Sequence, residues 1–283
     1  MILVTLAGVA FFLSIEGWPA FTADPEEIPG DGGFAGFVSP LLFGTILVSA
    51  LALLFAAPVA VGIALYISHY APRRASKTIG YVIDLLAAVP SVVFGLWGLQ
   101  VFAPYLGPAF YWLEENLGFI PFFAGPVADS GRVMLTAGLV LAVMILPIMT
   151  AVCREVFLQT PRLHEEAALA LGATRWEMIK MAVLPYGRSG VISGAMLGLG
   201  RALGETLAVT LILAVNPTLI TFNLISSQNS STIPANIALD FPEATGLDVN
   251  ALIATGLVLF VLTFAVNYLA RWVASRGFSG AAG

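Results

Sequence analysis

Charged residues are absent from long stretches of the chain, and the spacing of those stretches predicts its elements. Uncharged, mostly apolar runs cover 1–15, 32–72, 85–113, 133–153, 206–239 and 249–270. A helix crossing a bilayer needs about 20 such residues. Trimmed at proline, glycine and polar clusters, the runs predict six spans near 1–15, 41–69, 78–103, 133–154, 189–215 and 249–271. The apolar–polar alternation of a membrane barrel is missing, so helices are the viable spanning element. The first run is short enough for a signal peptide, but no basic residue precedes it, and it reads as a peripheral membrane helix. Residues 104–131 mix proline, glycine and aromatics and are expected along the outer membrane surface. Residues 155–188 form a polar segment too long for a turn.

Composition narrows the class. Of 283 residues, 59% are apolar and 10% charged, with a mean hydropathy of +0.93. A soluble domain carries about 25% charged residues. The chain cannot coat a water-soluble globule, and it is too apolar for disorder. Cys153 stands alone, which excludes a disulfide scaffold. With 12 Lys+Arg against 17 Asp+Glu, the net charge of −5 argues against nucleic acid as a partner. The expected class is an all-α integral membrane protein.

Basic residues set the expected orientation. Arg73, Arg74, Lys77, Arg154, Arg162, Arg175, Lys180, Arg188, Arg271 and Arg276 fall on one side of six spans, and Arg132 alone falls on the other. By the positive-inside rule the basic side, with both termini, is cytoplasmic. The opposite face is acidic and would not attract a free anion.

Asp84, Arg201 and Glu205 are the ionisable residues inside the expected spans. Arg201 and Glu205 are four apart, so on one helix they stack within ion-pairing reach. At 100° per residue they share an arc of about 80° with Gly190, Gly194 and Gly198. Two charges near a bilayer centre cost roughly 5–7 kcal/mol on insertion scales, so they should face protein or a wet cavity. That face reads either as a substrate path with glycine walls, including Gly198 and Gly204, or as a small-residue packing seam. Asp84 reads equally as an interfacial charge or as a gate residue beside Pro90 and Ser91, where the helix can break.

In the polar segment, Glu166-Ala-Ala-Leu-Ala-Leu-Gly172, then Arg175 to Lys180, then Leu184-Pro185, predicts helix, glycine stop, second helix and proline. Gly172 suits a left-handed turn. Thr174 and Glu177 have capping-box spacing. Ala167 and Ala168 let another surface approach closely.

These residues resemble the EAA loop of ABC-importer permeases, with Ala182 where the family usually has isoleucine. Gly200-Arg201-Ala-Leu-Gly-Glu205-Thr206 is similar to the phosphate-importer permeases of the PstC type. So are Leu86-Ala-Ala-Val-Pro-Ser91, Phe94-Gly-Leu-Trp-Gly98 and the outer loop Ile220–Leu247. The likeness runs over about 36–275. It implies a six-helix permease subunit of the bacterial inner membrane, with a peripheral helix and outer loop at 1–35 and a core at 36–275. That core would contain a coupling loop at 155–188 and an outer loop at 216–248, followed by a cytoplasmic tail at 276–283. Implied partners are a homologous second permease forming a heterodimer, two cytoplasmic ATPase subunits, and an external phosphate-binding protein. Implied roles are ATPase coupling for Glu166, Ala167, Ala168, Gly172 and Pro185, and a substrate pathway for Arg201, Glu205, Gly198, Gly204 and Thr206.

The residues agree on the division of labour. Lys77 and Lys180 follow Ser76 and Ile179, so there is no Gly-Lys P-loop, and ATP-Mg belongs on the partner ATPases. Arginine suits phosphate because its planar fork meets two oxygens at once. Glu205 would hold Arg201 in place, or accept a hydrogen bond from a protonated phosphate that sulfate could not donate. His164-Glu165-Glu166-Ala-Ala168 lacks the second histidine of a zinc helix, His69 stands alone near a span end, and no metal-ligating or catalytic constellation emerges. Asn229-Ser-Ser231 matches a glycosylation sequon only formally. Open alternatives are a sulfate or molybdate permease, a secondary transporter or channel, and a membrane-embedded enzyme.

Overall fold

The computed structural model describes residues 1–29, 32–213 and 220–276. Its α-helices follow in the order α1 (Ile2–Thr22), α2 (Gly33–Leu65), α3 (Arg73–Ala87), α4 (Ser91–Trp97), α5 (Ala103–Leu117), α6 (Met134–Leu158), α7 (Arg162–Ala170), α8 (Arg175–Met178), α9 (Leu184–Leu203), α10 (Leu207–Ile212), α11 (Ile233–Asp240) and α12 (Leu247–Arg276). Three π-helical turns are continuations and not breaks. Tyr66–Tyr70 prolongs α2, Gly98–Phe102 joins α4 to α5, and Ile179–Val183 joins α8 to α9.

Among the described residues, five helices are long and apolar enough to cross a membrane: Leu3–Thr22, Gly33–Tyr70, Ser91–Leu117, Met134–Leu158 and Leu247–Trp272. Burial sorts them. In α6, 67% of the most apolar stretch is buried, against 11% in α1. Thus α6 is an internal helix, and α1 leaves Leu3, Phe11 and Trp18 exposed, as lipid permits.

Two expected spans change. The stretch 78–103 is not one helix, because α3 stops at Ala87 and α4 starts at Ser91. Pro90 has no N–H to donate and disfavours helical geometry at Val89. α3 is amphipathic, burying Gly80 and Ile83 while Tyr81, Asp84 and Leu85 stay exposed. Its 15 residues reach about 22 Å, short of a hydrocarbon core of about 30 Å. Asp84 therefore lies outside the five helices, among the described residues, that are long and apolar enough to cross a membrane. Residues 104–117, expected along the outer surface, instead continue the rod begun at Ser91. The stretch 189–215 also breaks, because α9 ends at Leu203.

Contacts divide the chain into two units. The first comprises Met1–Leu51, Pro90–Leu141 and Leu203–Val266. In it α1 lies on α12, where Gly17 lets Ala254 come within 3.0 Å of the position a Cβ would take. Much of 220–232, part of the expected outer loop, is packed inside the protein. Leu224, Ile225, Asn229, Ser230 and Ser231 are all buried. A buried irregular segment must find partners for its backbone. The Leu224 carbonyl accepts from the Leu135 N–H at 2.9 Å, the Ile225 carbonyl from Ala128 at 3.0 Å, and the Ile233 N–H donates to the Thr45 hydroxyl at 2.9 Å. The Ser231 carbonyl occupies the space a side chain on Gly44 would need. Asn229 is fully buried and donates to the Ser226 carbonyl at 2.7 Å, so its sequon is unreachable in the folded chain. Residues 214–215 of the expected span, 216–219 of the expected outer loop and 277–283 of the expected tail lie outside the described residues.

The second unit comprises Ala52–Val89, Ala142–Ala202 and the chain from Asn267 onward. α9 packs on α6 through Gly187, Gly190, Gly194 and Gly198, which meet Phe157, Val156, Cys153 and Met149. The glycine stripe of α9 is thus a close-packing seam: a Cβ on Gly198 would stand 3.0 Å from Met149 Cγ. Ala64, Leu65, Cys153, Phe157, Ala168, Met178, Ile179 and Val183 form this unit's apolar core.

Candidate functional site

The residues singled out by sequence sit at two interruptions of the helical chain. The first lies just after α9. Arg201 occupies that helix's last turn, half-buried, where a cation meets the negative end of the helix dipole. Residues Gly204, Glu205 and Thr206 are not helical, and α10 begins at Leu207. Arg201 and Glu205 therefore do not share a helix, and the stacked ion pair expected from their spacing is replaced by a different arrangement.

Glu205, 9% exposed, turns its carboxylate forward, where Oε1 accepts from the Ala208 N–H at 3.2 Å. It satisfies one of the donors that the start of α10 leaves open. At the other end, Arg132 Nε and Nη2 donate to the carbonyls of Ile212 and Leu213, at 3.4 and 3.2 Å. A six-residue helix is thus bracketed by an anion at its N-terminus and a cation at its C-terminus, both matching its dipole. Thr206 is half-buried, its hydroxyl donating to the Gly204 carbonyl at 3.4 Å and its own carbonyl accepting from the Thr210 hydroxyl at 2.9 Å. Gly204 is exposed.

α10 rests on α4. A Cβ on Gly95 would stand 2.9 Å from Ala208 Cα, and one on Gly98 would meet Ile212 at 2.9 Å and Val140 at 2.8 Å. The Phe94–Gly98 and Gly200–Thr206 motifs, more than a hundred residues apart, converge on α10 in this way. Pro90 and Ser91 stand at the start of α4, Pro90 exposed and Ser91 half-buried. Arg132 was not singled out by sequence. Its signal was its position as the lone cation among the expected outer loops.

The second interruption is the reversal between α7 and α8. Gly172 takes φ +85°, open to glycine and costly for other residues. The Gly172 N–H donates to the Leu169 carbonyl at 3.0 Å and the Ala173 N–H to the Ala168 carbonyl at 3.2 Å, the paired bonds of a Schellman ending. Two residues on, the Thr174 hydroxyl accepts from the Glu177 N–H at 3.3 Å, and Glu177 Oε2 accepts from the Thr174 N–H at 2.7 Å. That is a complete capping box. The Thr174 backbone N–H, and then its hydroxyl, hold the Glu177 carboxyl below its ordinary range.

The two alanines of the loop differ in use. Ala168 is buried in the core against α2, whereas Ala167 is exposed. A groove of about 540 Å³ is lined by His164, Ala167, Ala168, Leu171, Ala182 and Pro185 among others. Leu171 and Leu163, 88% and 74% exposed, leave apolar surface beside it, and Glu166 is exposed as well. His69, read as a lone interfacial residue, has partners. Its Nδ1 lies 2.7 Å from Ser68 Oγ and its Nε2 3.4 Å from Glu165 Oε1. The contact ties α7 to the end of α2. With Ala168 one turn further on, Glu165 fixes the face of α7 opposite the exposed one.

Comparison with known proteins fits this arrangement. Residues 56–277 match the family described as binding-protein-dependent transport system inner membrane component. The chain is 47% identical, over 99% of its length and 89% of the relative's, to the phosphate transport system permease protein PstC 2 of Mycobacterium tuberculosis. It is 46% identical to PstC of Mycobacterium leprae, over 92% of this chain and 82% of that one. A structure of the MetNI methionine ABC transporter matches with TM-score 0.60 and 12% identity over 85% of this chain and 96% of that chain. A bacterial ABC transporter for the acidic polysaccharide alginate matches with TM-score 0.59 and 18% identity, over 94% of this chain and 88% of that chain. The fold is thus that of ABC-transporter permeases, and the chain belongs to the family of binding-protein-dependent transport system inner membrane components.

Proposed function

We propose that this chain is the transmembrane permease subunit of an ATP-driven, binding-protein-dependent importer that carries inorganic phosphate into the cytoplasm. The observation that carries the reading is the chain-long likeness to permeases named for phosphate transport. A second permease would complete the pathway as a heterodimer, an external phosphate-binding protein would deliver the anion to an acidic outer face, and two ATPase subunits holding ATP-Mg would act from the basic side. Both termini would be cytoplasmic.

In this mechanism Arg201 supplies the cation. Its guanidinium gives a phosphate two parallel hydrogen bonds, and its place at a helix end beside non-helical backbone suits an ion pathway. Gly204 and Thr206 provide backbone and hydroxyl groups at the same interruption. Gly198 contributes by holding α9 close to α6. Glu205 acts as a positioning residue through α10, which favours a structural role over direct contact with a protonated phosphate. Asp84, Pro90 and Ser91 flank the α3–α4 break and would support a gate. The groove beside Ala167, with Glu166, Gly172 and Pro185, offers the ATPases a shallow apolar socket.

The test is reconstitution with the sister permease and ATPases in liposomes, using labelled phosphate or sulfate and the binding protein outside. Uptake should require ATP and favour phosphate. Arg201→Gln should lower it roughly tenfold to a hundredfold, the value of a charge-assisted hydrogen bond. Glu205→Gln, which keeps an oxygen for the Ala208 N–H, should transport better than Glu205→Ala. Uptake without the ATPases, or sulfate carried in preference, would defeat the reading.

A further inference from the structure

Within the second unit, α9 and α12 enclose a groove of about 330 Å³ that the proposed transport mechanism leaves unused. Ile192, Met196 and Leu197 of α9 and Ala270 of α12 give it an apolar lining, which Asn267 and Arg271 of α12 join. Arg188, also exposed, precedes Ile192 by four residues. It therefore lies on the same face of α9, one turn nearer the basic end. Neither arginine forms a salt bridge among the described residues. The Ser193 hydroxyl, on the same wall, already donates to the Ser189 carbonyl at 2.9 Å.

The aromatic residues of α12 give this groove a depth. Tyr268 and Trp272, 63% and 44% exposed, flank Arg271 on the helix surface. Outward tyrosine and tryptophan mark the headgroup level of a bilayer. Leu197, 56% exposed, lies nine residues beyond Arg188 on α9, or ~13.5 Å further from the basic end. The groove thus crosses the boundary, cationic at headgroup depth and apolar beyond it.

We propose that this groove binds an anionic phospholipid, with its phosphodiester on the Arg271 guanidinium and an acyl chain along Met196 and Leu197. Each half of the site excludes a simpler occupant. A free anion would leave the apolar wall uncovered, and a zwitterionic lipid would bring its own cation against Arg188 and Arg271. An anionic lipid satisfies the guanidinium bidentately and covers the wall. The site does not depend on which oxyanion is transported.

The assembled complex, delipidated in detergent, would be titrated with phosphatidylglycerol, phosphatidylcholine or inorganic phosphate, with bound lipid counted by native mass spectrometry. Phosphatidylglycerol should bind in preference, and inorganic phosphate should not displace it. Arg271→Gln should weaken its binding about fivefold, the effect of one surface cation. Leu197→Trp, an exposed position that fills the groove, should also reduce binding with both arginines intact. Equal binding of the two lipids, equal binding by wild type and both variants, or displacement by inorganic phosphate would overturn the proposal. So would cross-linking of Ser193→Cys to the second permease, which would make the groove a protein interface.

Discussion

The two interruptions that carry the candidate sites are built on opposite plans. The reversal at Gly172 closes on itself: its Schellman bonds and capping box join residues no more than five apart. The interruption at Gly204–Thr206 is held from a distance. Glu205 secures the start of α10, but the end of that helix is held by Arg132, and its side by Gly95 of α4 and Gly98 of the π-helical turn that follows it. A locally closed turn keeps its shape while the helix pair it joins moves as one piece, as a part that transmits a push from outside should. An assembled break answers to its neighbours and can change when they do, which suits a pathway that opens and closes.

The sharpest way to break this contrast is at Gly95. A Cβ there meets the Cα of Ala208, which cannot move without moving α10, so Gly95→Val should destabilise by about 1–3 kcal/mol or more and abolish uptake. Gly200 is the control. Nothing lies within 4 Å of its missing Cβ, and Gly200→Ala should leave thermal stability unchanged or raise it slightly. Melting of the purified complex and phosphate uptake measure both. Equal loss in the two variants would mean that α10 does not depend on α4.

Gly172 comes next. No atom lies within 4 Å of its Cβ position, so the whole cost of substitution is its φ of +85°. Gly172→Val should cost about 1–2 kcal/mol in the loop, and Gly172→Asn less, because asparagine tolerates that region. If the reversal is self-contained, both variants should remain in the membrane with normal α10 function and a changed ATPase-to-uptake ratio. Loss of membrane-inserted protein would refute its independence.

Removing the far bracket should do less. Arg132→Gln takes away the cation at the end of α10, worth about 0.3–1 kcal/mol at a helix terminus. Hydrogen exchange of the α10 amides should quicken in this variant, while exchange across α7 and α8 should not. Equal changes in both regions would erase the distinction drawn between them.

How much of each site was legible in sequence follows from the same division. The loop was readable because its causes are neighbours in the chain: glycine three residues after Leu169, threonine and glutamate at capping-box spacing. The break at Gly204 was misjudged because four-residue spacing predicts a helical stack only where a helix persists. This helix stops at Leu203, and the Glu205 carboxylate then accepts from the Ala208 N–H. Its stabilisers, Arg132 and Gly95, have no local signature. Likewise 220–232 carries no local sign of the tertiary contacts with Ala128 and Leu135 that hold much of it inside the protein. The fold class needed little beyond composition and helical period. The His69–Glu165 tie joins residues 96 apart, which no periodicity could have suggested.

The smallest expected effect is a pH response confined to the self-contained turn. Glu177 is held below its ordinary value of 4.5, chiefly by the Thr174 N–H and then by the Thr174 hydroxyl. A carboxylate depressed in the folded state contributes stability that is complete above its unfolded value and fades as pH falls through the folded one. The box should therefore be insensitive to pH near neutrality and should weaken on acidification below about 4.5. Protection of the Glu177 amide against hydrogen exchange, corrected for the intrinsic pH dependence of exchange, reports this directly. In wild type it should fall across that window. In Glu177→Gln, where the reciprocal acceptor no longer titrates, the profile should be flat. Thr174→Ala should lower protection at every pH and remove most of the slope, because the groups that depress the carboxyl act through Thr174 geometry. The amides of α10 should give the same relative profile in all three proteins. A slope that survives in Glu177→Gln would assign the titration elsewhere, and one that spreads to α10 would show that the turn is coupled to the break after all.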